Sequence, residues 1–169
     1  MWIDYLDLLS YFQKDLRNAH YVCPANVKKE HDNLVVRRRR VQDRENLERK
    51  RRKAIEDEKK YQELKAEFFG IEFGDDLIHI SVIQSVKDVM EEGDAMHHCV
   101  FTNKYYLKPD SLLLSARIKD KRLETIEVSL TKFDVLQSRA ACNGISEYHD
   151  RIIKLVKKNM NLIRQKKTA

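Results

Sequence analysis

The chain has 169 residues, which is long enough for one domain with a hydrophobic core plus an extension. Charged residues make up 36% of it and there are only four glycines and two prolines, so the composition argues against a loop-rich sandwich and favours long helices. The net charge of +6 permits binding to nucleic acid or to another anionic surface.

The three cysteines and the N-terminal segment indicate the compartment. Cys23, Cys99 and Cys142 show no C-x-x-C spacing, so we expect reduced thiols in a reducing environment. Asp4 and Asp7 lie within an amphipathic N-terminal segment, which differs from a signal peptide. No apolar run approaches the ~20 residues of a membrane span. The sequence therefore predicts a cytoplasmic protein without a membrane partner.

The N-terminal part of the chain is predicted to be helical. Residues 2–18 carry apolar side chains at helical spacing, which predicts an amphipathic helix, and residues 21–26 are expected to form a short extended link. Asn26 is the expected N-cap of a second helix, which continues without glycine or proline to Gly70. This helix of ~40 residues is mostly solvated, and its sparse apolar positions predict contact with a partner along one narrow stripe.

The remainder of the chain shows the patterns of a mixed α and β domain. Ser85 as a cap and Gly93 as a stop bracket a short helix, and a last helix is predicted over residues 145–165. Turns at residues 119–121 and 131–132 separate three strands, which favours an antiparallel meander. The predicted strands are residues 71–73, 77–83, 111–118, 122–130 and 133–139.

These patterns predict an α+β protein in which a long N-terminal helical arm precedes a small antiparallel sheet packed with helices. Two domains are expected. Residues 1–70 form the arm, which consists of an amphipathic helix and a long charged helix, and residues 71–169 form the compact α+β domain.

The side chains most capable of chemistry concentrate between residues 96 and 143. His98 is well suited to proton transfer near neutral pH, and Glu127 interrupts a β-type apolar run. If both face one cleft they form an acid/base or metal-binding pair, and otherwise Glu127 faces solvent. Cys99 and its neighbour His98 would point in opposite directions on a strand, so we expect Cys99 to be a small core residue.

Two amide side chains, Gln137 and Asn143, can orient a substrate. A two-residue turn at residues 131–132 would pair Ile126 with Gln137 and place Gln137 on the sheet face opposite to Glu127. A β-bulge in this hairpin would shift the register and bring Gln137 and Glu127 to the same face. The sequence leaves both registers open.

A zinc site is the alternative use of the histidines and cysteines. The spacing of one set matches no common zinc finger or ribbon, and a second set nearer the N-terminus is weaker still, so no metal ligand is predicted. The sequence also lacks a Walker-type loop, G-x-S-x-G and H-E-x-x-H, and it identifies no cofactor. The first set is His97, His98, Cys99, Cys142 and His149, and the second is His20, Cys23 and His31.

A basic run, residues 37–53, lies in the predicted long helix and holds ten basic and three acidic residues. Each lysine or arginine that pairs with a phosphate releases a counterion, so the basic run is a candidate interface for DNA or RNA. The alternative is a solvated helix whose charges partly cancel. No aromatic residues interleave there, so stacking on bases is not indicated. The candidate contact residues are Arg37, Arg38, Arg39, Arg40, Arg44, Arg49, Lys50, Arg51 and Arg52.

Several short motifs occur together along the chain. They are Trp2-Ile3-Asp4-Tyr5-Leu6, Pro24-Ala25-Asn26-Val27, His31-Asp32, His98-Cys99-Val100, Tyr105 or Tyr106, a strand ending in Arg117, Thr125-Ile126-Glu127-Val128, Gln137 and Asn143. With these motifs the chain resembles the PcfJ-like family, which is encoded on bacterial conjugative plasmids and other mobile elements. Members of that family usually have sequence ahead of the Trp2 segment, so we expect either the C-terminal part of such a protein or a short member.

The resemblance implies a bacterial protein linked to a mobile element, and it implies no particular reaction. We therefore expect a conjugation-associated accessory protein that contacts nucleic acid or a partner protein through its basic helix. The first alternative is an enzyme with His98, Glu127 and Tyr105 as catalytic residues and Tyr106, Arg117, Gln137 and Asn143 as substrate-binding residues. The second alternative is an interaction module whose long helix pairs with another chain.

Overall fold

The computed structural model describes residues 1–168, which form six α-helices and one five-stranded sheet. The helices are α1 (Trp2–Tyr11), α2 (Ala19–Val22), α3 (Val27–Lys65), α4 (Val86–Met96), α5 (His149–Lys158) and α6 (Met160–Thr168). The strands are β1 (Glu72–Gly74), β2 (His79–Val82), β3 (Ser111–Ile118), β4 (Lys121–Ser129) and β5 (Val135–Arg139). This content confirms the predicted α+β class with its long N-terminal helix. The chain divides into two compact units within α3, between Lys50 and Arg51.

The first helix is shorter than predicted. α1 ends at Tyr11, and Gln13 takes a left-handed conformation with φ of 54°, through which an α-helix does not continue. Asn18, which was expected near the end of α1, instead caps α2, because its side-chain oxygen accepts a 2.9 Å hydrogen bond from the backbone N–H of His20. The predicted extended link over residues 21–26 is therefore wrong for its first two residues.

The long helix is confirmed. α3 contains 39 residues and at 1.5 Å per residue is roughly 60 Å long. Asn26 caps it as predicted, since its side-chain oxygen accepts a 3.0 Å hydrogen bond from the backbone N–H of Lys29. A 3₁₀ turn over Ala66–Phe68 follows, and Gly70 then takes a positive φ of 79°, a conformation that glycine adopts without a Cβ penalty.

Every strand of the sheet pairs antiparallel with its neighbour in sequence, in the order β1-β2-β3-β4-β5, which confirms the meander. β3 and β4 lie in the interior of the sheet and are buried along most of their length, and this burial includes the polar residues Glu124, Thr125 and Glu127 of β4. On one face, a core around Leu112 and Ile126 packs against α5 and α6. On the other face, a core around Leu113 packs against α4 and against Tyr61 of α3.

Gly93 does not end α4, contrary to the prediction. The helix continues to Met96. A Cβ atom at Gly93 would lie 3.2 Å from both the backbone oxygen of His98 and a methyl group of Val100. A side chain at this position would therefore crowd the loop after α4, which returns close to the helix, so glycine is favoured here for close packing and not because the helix stops there.

The last predicted helix starts four residues later than expected, and it is divided at Asn159 into α5 and α6. Glu124 of β4 is fully buried and accepts hydrogen bonds from the Ser146 backbone N–H at 2.9 Å and the Ser146 hydroxyl at 2.7 Å. Ser138 and His149 donate to the same carboxylate. Burial raises the pKa of Glu124, but these hydrogen bonds outweigh burial and lower it overall. Because Glu124 holds Ser146 in a turn, the helical conformation begins only at His149.

No helix in residues 1–168 combines the length and the apolar character that a membrane crossing requires.

Candidate functional site

A small polar cavity lies over β4 and β5 on the side of the sheet that packs against α4, and its volume is about 50 Å³. Five of the seven residues predicted for catalysis or substrate binding line it together: His98, Tyr105, Glu127, Gln137 and Asn143. Cys99, Val100, Leu113, Thr125 and Arg139 complete its lining. Residues from three strands, from the loop after α4 and from two 3₁₀ turns, Tyr105–Leu107 and Ala141–Asn143, thus converge on one position.

A β-bulge places Glu127 and Gln137 on the same face. In the β4–β5 ladder, Glu127 pairs with Gln137 whereas Val128 pairs with Val135, so Leu136 is an extra residue in β5. The sequence left two registers open, and the structure has the one with the bulge. The Gln137 amide nitrogen donates a 2.6 Å hydrogen bond to Oε2 of Glu127.

The other carboxylate oxygen of Glu127 is also fully engaged. Oε1 accepts hydrogen bonds from the Ser111 hydroxyl at 2.7 Å and from Lys108 Nζ at 3.3 Å. The same ammonium group lies 3.8 Å from the centre of the Tyr105 ring, in a cation–π contact. The Glu127 side chain is only 6% exposed, so the alternative in which it faces solvent is wrong.

His98 is held in one orientation by the backbone. Its Nε2 atom lies 2.6 Å from the carbonyl oxygen of Ala140. A carbonyl oxygen only accepts, so Nε2 carries the hydrogen, and in the neutral ring Nδ1 is left as a hydrogen-bond acceptor. Within residues 1–168, Nδ1 has no partner. His98 therefore keeps one nitrogen available to a ligand.

The prediction that Cys99 is a core residue is wrong, because Cys99 is exposed. Residues 97–104 form turns rather than a strand, so the alternation of side chains that the prediction assumed does not apply. No three His, Cys, Asp or Glu side chains in the described part of the chain lie close enough together to hold one metal ion.

The basic run of α3 is largely exposed. Seven of its nine candidate residues are exposed, and Arg38 and Lys50 are half-buried. Arg37 and Arg38 are tied to the first helical segment, because their guanidinium groups lie 4.8 Å and 4.7 Å from the rings of Phe12 and Tyr11. A further group, Arg39, Arg40 and Arg44, is exposed and has no hydrogen-bond or ion-pair partner within residues 1–168.

Comparison with protein families supports the resemblance seen in the motifs. The model of the PcfJ-like protein family matches residues 1–153. The chain belongs to the PcfJ-like family. The matched part includes the whole basic run and every residue that lines the cavity of this PcfJ-like protein. Comparison with curated proteins and with solved structures gives no match.

Two predicted substrate-binding residues of this PcfJ-like protein do not line the cavity. Tyr106 is buried, and its hydroxyl donates a 2.7 Å hydrogen bond to Asp57. Arg117 donates to Ser115 at 3.1 Å and pairs with Glu92 at 3.4 Å. Both side chains have partners within the protein, and their substrate-binding role stays a prediction.

Sequence reasoning did not identify Glu92 of α4, which is fully buried beneath the cavity. Its Oε1 accepts from Ser115 at 2.8 Å and from Thr125 at 3.0 Å, and its Oε2 accepts from Arg122 at 2.7 Å. Thr125 lines the cavity, so Glu92 fixes one wall of it. The available signal was its position three residues after Val89, on the apolar side of the helix.

Left-handed backbone conformations cluster around the cavity of this PcfJ-like protein. Four of the seven non-glycine residues with positive φ in the described chain are lining residues or their direct neighbours in sequence: His97, Lys104, Cys142 and Asn143. Such conformations cost roughly 1–3 kcal/mol each and persist where the surrounding structure imposes them, commonly at ligand sites. The clustering therefore points to the same position as the convergence of side chains.

Proposed function

We propose that this PcfJ-like protein is a conjugation-associated accessory protein of a bacterial mobile genetic element that contacts nucleic acid through the basic run of α3. The observation that carries the proposal is the exposure of seven of the nine candidate arginines and lysines on one helix. Membership of the family supplies the setting, because the resemblance described above is to proteins of conjugative plasmids and other mobile elements.

The chemistry of the basic run favours contacts with phosphates. A guanidinium group presents a planar set of donors that fits two phosphate oxygens at once and keeps its charge at all working pH values. Arg40 and Arg44 are four residues apart and so lie on the same side of the helix. Since no aromatic residues interleave in the basic run, we expect binding that follows the phosphate backbone with little dependence on base sequence.

Fluorescence anisotropy with labelled duplex DNA, single-stranded DNA and RNA tests this proposal. The test variant carries Arg39→Gln, Arg40→Gln and Arg44→Gln. The control removes the same charge from exposed positions of α3 outside the basic run, with Lys28→Gln, Lys29→Gln and Lys60→Gln. We expect at least about tenfold weaker binding for the test variant at roughly 50 mM salt, and a much smaller loss for the control. Equal losses, or no binding by the wild type, would contradict the proposal.

We propose acid–base catalysis at the cavity as a second function, because five predicted residues from separate elements line it together. His98 supplies Nδ1 as the proton acceptor, since its Nε2 is engaged by Ala140. Glu127 is held rigidly by Gln137 and Ser111 and lines the same cavity as the imidazole. The amide groups of the cavity orient the substrate.

End-labelled RNA and DNA are the substrates to try first, because nucleic acid is the partner proposed for the basic run. Products are separated on denaturing gels after incubation with the wild type, with His98→Ala and with the neighbouring control His97→Asn. Asparagine tolerates the left-handed conformation of residue 97. Conversion that is lost only in His98→Ala supports catalysis at the cavity. No conversion, or conversion that persists in His98→Ala, contradicts it for these substrates.

A further inference from the structure

The guanidinium group of Arg139 is a cation at the cavity, and none of the roles described above uses it. Arg139 pairs with Thr125 in the β4–β5 ladder and lines the cavity. Its side chain is exposed, and it forms no hydrogen bond or ion pair within residues 1–168. The other arginines on this side of the sheet, Arg117 and Arg122, are both paired with Glu92.

The balance of charge at the cavity favours an anion. Glu127 is the one carboxylate in its lining, and Lys108 pairs with it at 3.3 Å. The positive charge of Arg139 is therefore uncompensated by the lining. An arginine in this situation binds phosphate or carboxylate oxygens well, because its donors are charged and lie in a fixed plane.

The size of the cavity limits which part of a ligand enters it. At about 50 Å³ it is far smaller than the roughly 300–1,000 Å³ of pockets that enclose a drug-sized ligand. It therefore suits a compact oxyanion group better than a nucleobase or a sugar. The remainder of any larger ligand must lie outside, on the open side of the cavity.

We propose that this cavity binds a terminal phosphate group, with Arg139 as the principal contact and with the amide of Asn143 as a further donor. These two side chains come from β5 and from the 3₁₀ turn Ala141–Asn143. Donors that approach from separate elements suit the three terminal oxygens of a tetrahedral phosphate better than the two oxygens of a flat carboxylate. The inference deepens the second proposed function, since it rests on the cavity being a ligand site and names the ligand.

A terminal phosphate occurs on free nucleotides and at the end of a nucleic-acid strand, and the experiment separates these sources. The starting protein is the full chain with Arg39→Gln, Arg40→Gln and Arg44→Gln, so that backbone binding by α3 is suppressed. Its affinity is measured for a short oligonucleotide with a 5′-phosphate and for the same oligonucleotide with a 5′-hydroxyl. Adenosine monophosphate, inorganic phosphate and acetate then serve as competitors.

We expect a 5′-phosphate to improve affinity by at least about tenfold, as a charge-assisted hydrogen bond contributes. Adding Arg139→Gln should abolish the difference, whereas adding Lys154→Gln, an exposed charge on α5, should leave it unchanged. Arg139→Lys keeps the positive charge but loses the planar set of donors, so it should retain part of the affinity difference between the two oligonucleotides. If adenosine monophosphate competes at the same concentrations as the oligonucleotide, a free nucleotide is sufficient for binding at the cavity.

Three results would overturn the inference. The first is equal affinity for the two oligonucleotides together with no binding of the monophosphate. The second is a phosphate effect that survives Arg139→Gln, and the third is competition by acetate as strong as that by inorganic phosphate. Failure of catalysis alone would leave the phosphate effect intact, so the two failures are distinguishable.

Discussion

The amide nitrogen of Gln137 donates a 2.6 Å hydrogen bond to the buried carboxylate of Glu127, directly across the β4–β5 ladder. This contact exists only because Leu136 is an extra residue in β5. Without that bulge, Gln137 would face the opposite side of the sheet. The bulge therefore assembles the cavity, since it places an amide and a carboxylate next to the loop that carries His98.

The first prediction concerns this contact. Gln137→Leu removes a donor from a buried carboxylate, so we expect the free energy of unfolding to fall by about 1–3 kcal/mol. Urea denaturation at neutral pH measures the change. Leu136→Ala, at the neighbouring position that is 51% exposed, is the control and should change stability by less than about 1 kcal/mol. Equal stability of Gln137→Leu and wild type would show that this hydrogen bond does not support Glu127.

The second prediction concerns Glu92. Glu92→Ala would leave two arginines and two hydroxyl groups without their shared acceptor, so we expect a loss of about 3–5 kcal/mol. The neighbouring Glu91, which is exposed and forms only a surface pair with Lys87, provides the control, with an expected change below about 1 kcal/mol for Glu91→Ala. Thermal and urea unfolding of both variants give the comparison. Similar losses in both would contradict a central role for Glu92.

The third prediction is a pH effect of Lys65, which is buried and donates to the carbonyl oxygens of Lys108 and Pro109. Burial lowers the pKa of Lys65 from 10.5 to about 8. Between these values the unfolded chain binds more protons at this residue than the folded protein does, so the contribution of Lys65 to stability rises as the pH rises. Below the lower value, both states are protonated and the contribution is constant.

Lys65→Met provides the comparison. We expect the stability of the wild type relative to this variant to increase by on the order of 1–2 kcal/mol between about pH 8 and about pH 9.5. Denaturation curves for both proteins at several pH values in this interval test the effect. A difference that stays flat, or one that falls, would show that the folded protein keeps Lys65 at its ordinary pKa.

Much of the fold follows from local sequence. The boundaries of β3 match the prediction at both ends, because a turn and a change in apolar pattern mark each end. The register of the next hairpin did not follow from the sequence, because it depends on the bulge at Leu136. Val128 pairs with Val135, as a two-residue turn predicts, and the pairing shifts beyond that pair. Phe133 also takes a positive φ of 51°, and Ser129 accepts from the backbone N–H of Lys132 at 3.0 Å, so the loop itself is longer than a two-residue turn. A phenylalanine gives no signal for a left-handed position, where glycine or asparagine is usual.

The candidate site was predictable in part for the same reason. Histidine, glutamate and amide side chains stand out against apolar strands, and five such predictions meet at the cavity. Glu92 and Arg139 did not stand out, because glutamate on a helix and arginine at a strand end are ordinary residues in sequence. Their importance depends on residues that are distant in sequence. The fold brings four partners to Glu92 and leaves the side chain of Arg139 without one in residues 1–168.

The most direct test of the central proposal is the salt dependence of nucleic-acid binding. The logarithm of the binding constant for duplex DNA is plotted against the logarithm of salt concentration for the wild type and for the variant with Arg39→Gln, Arg40→Gln and Arg44→Gln. If the three arginines contact phosphates, the magnitude of the slope should fall by about 2–3 in the variant, since each contact contributes about 0.9. An unchanged slope would contradict the proposal that the basic run of α3 is the nucleic-acid interface.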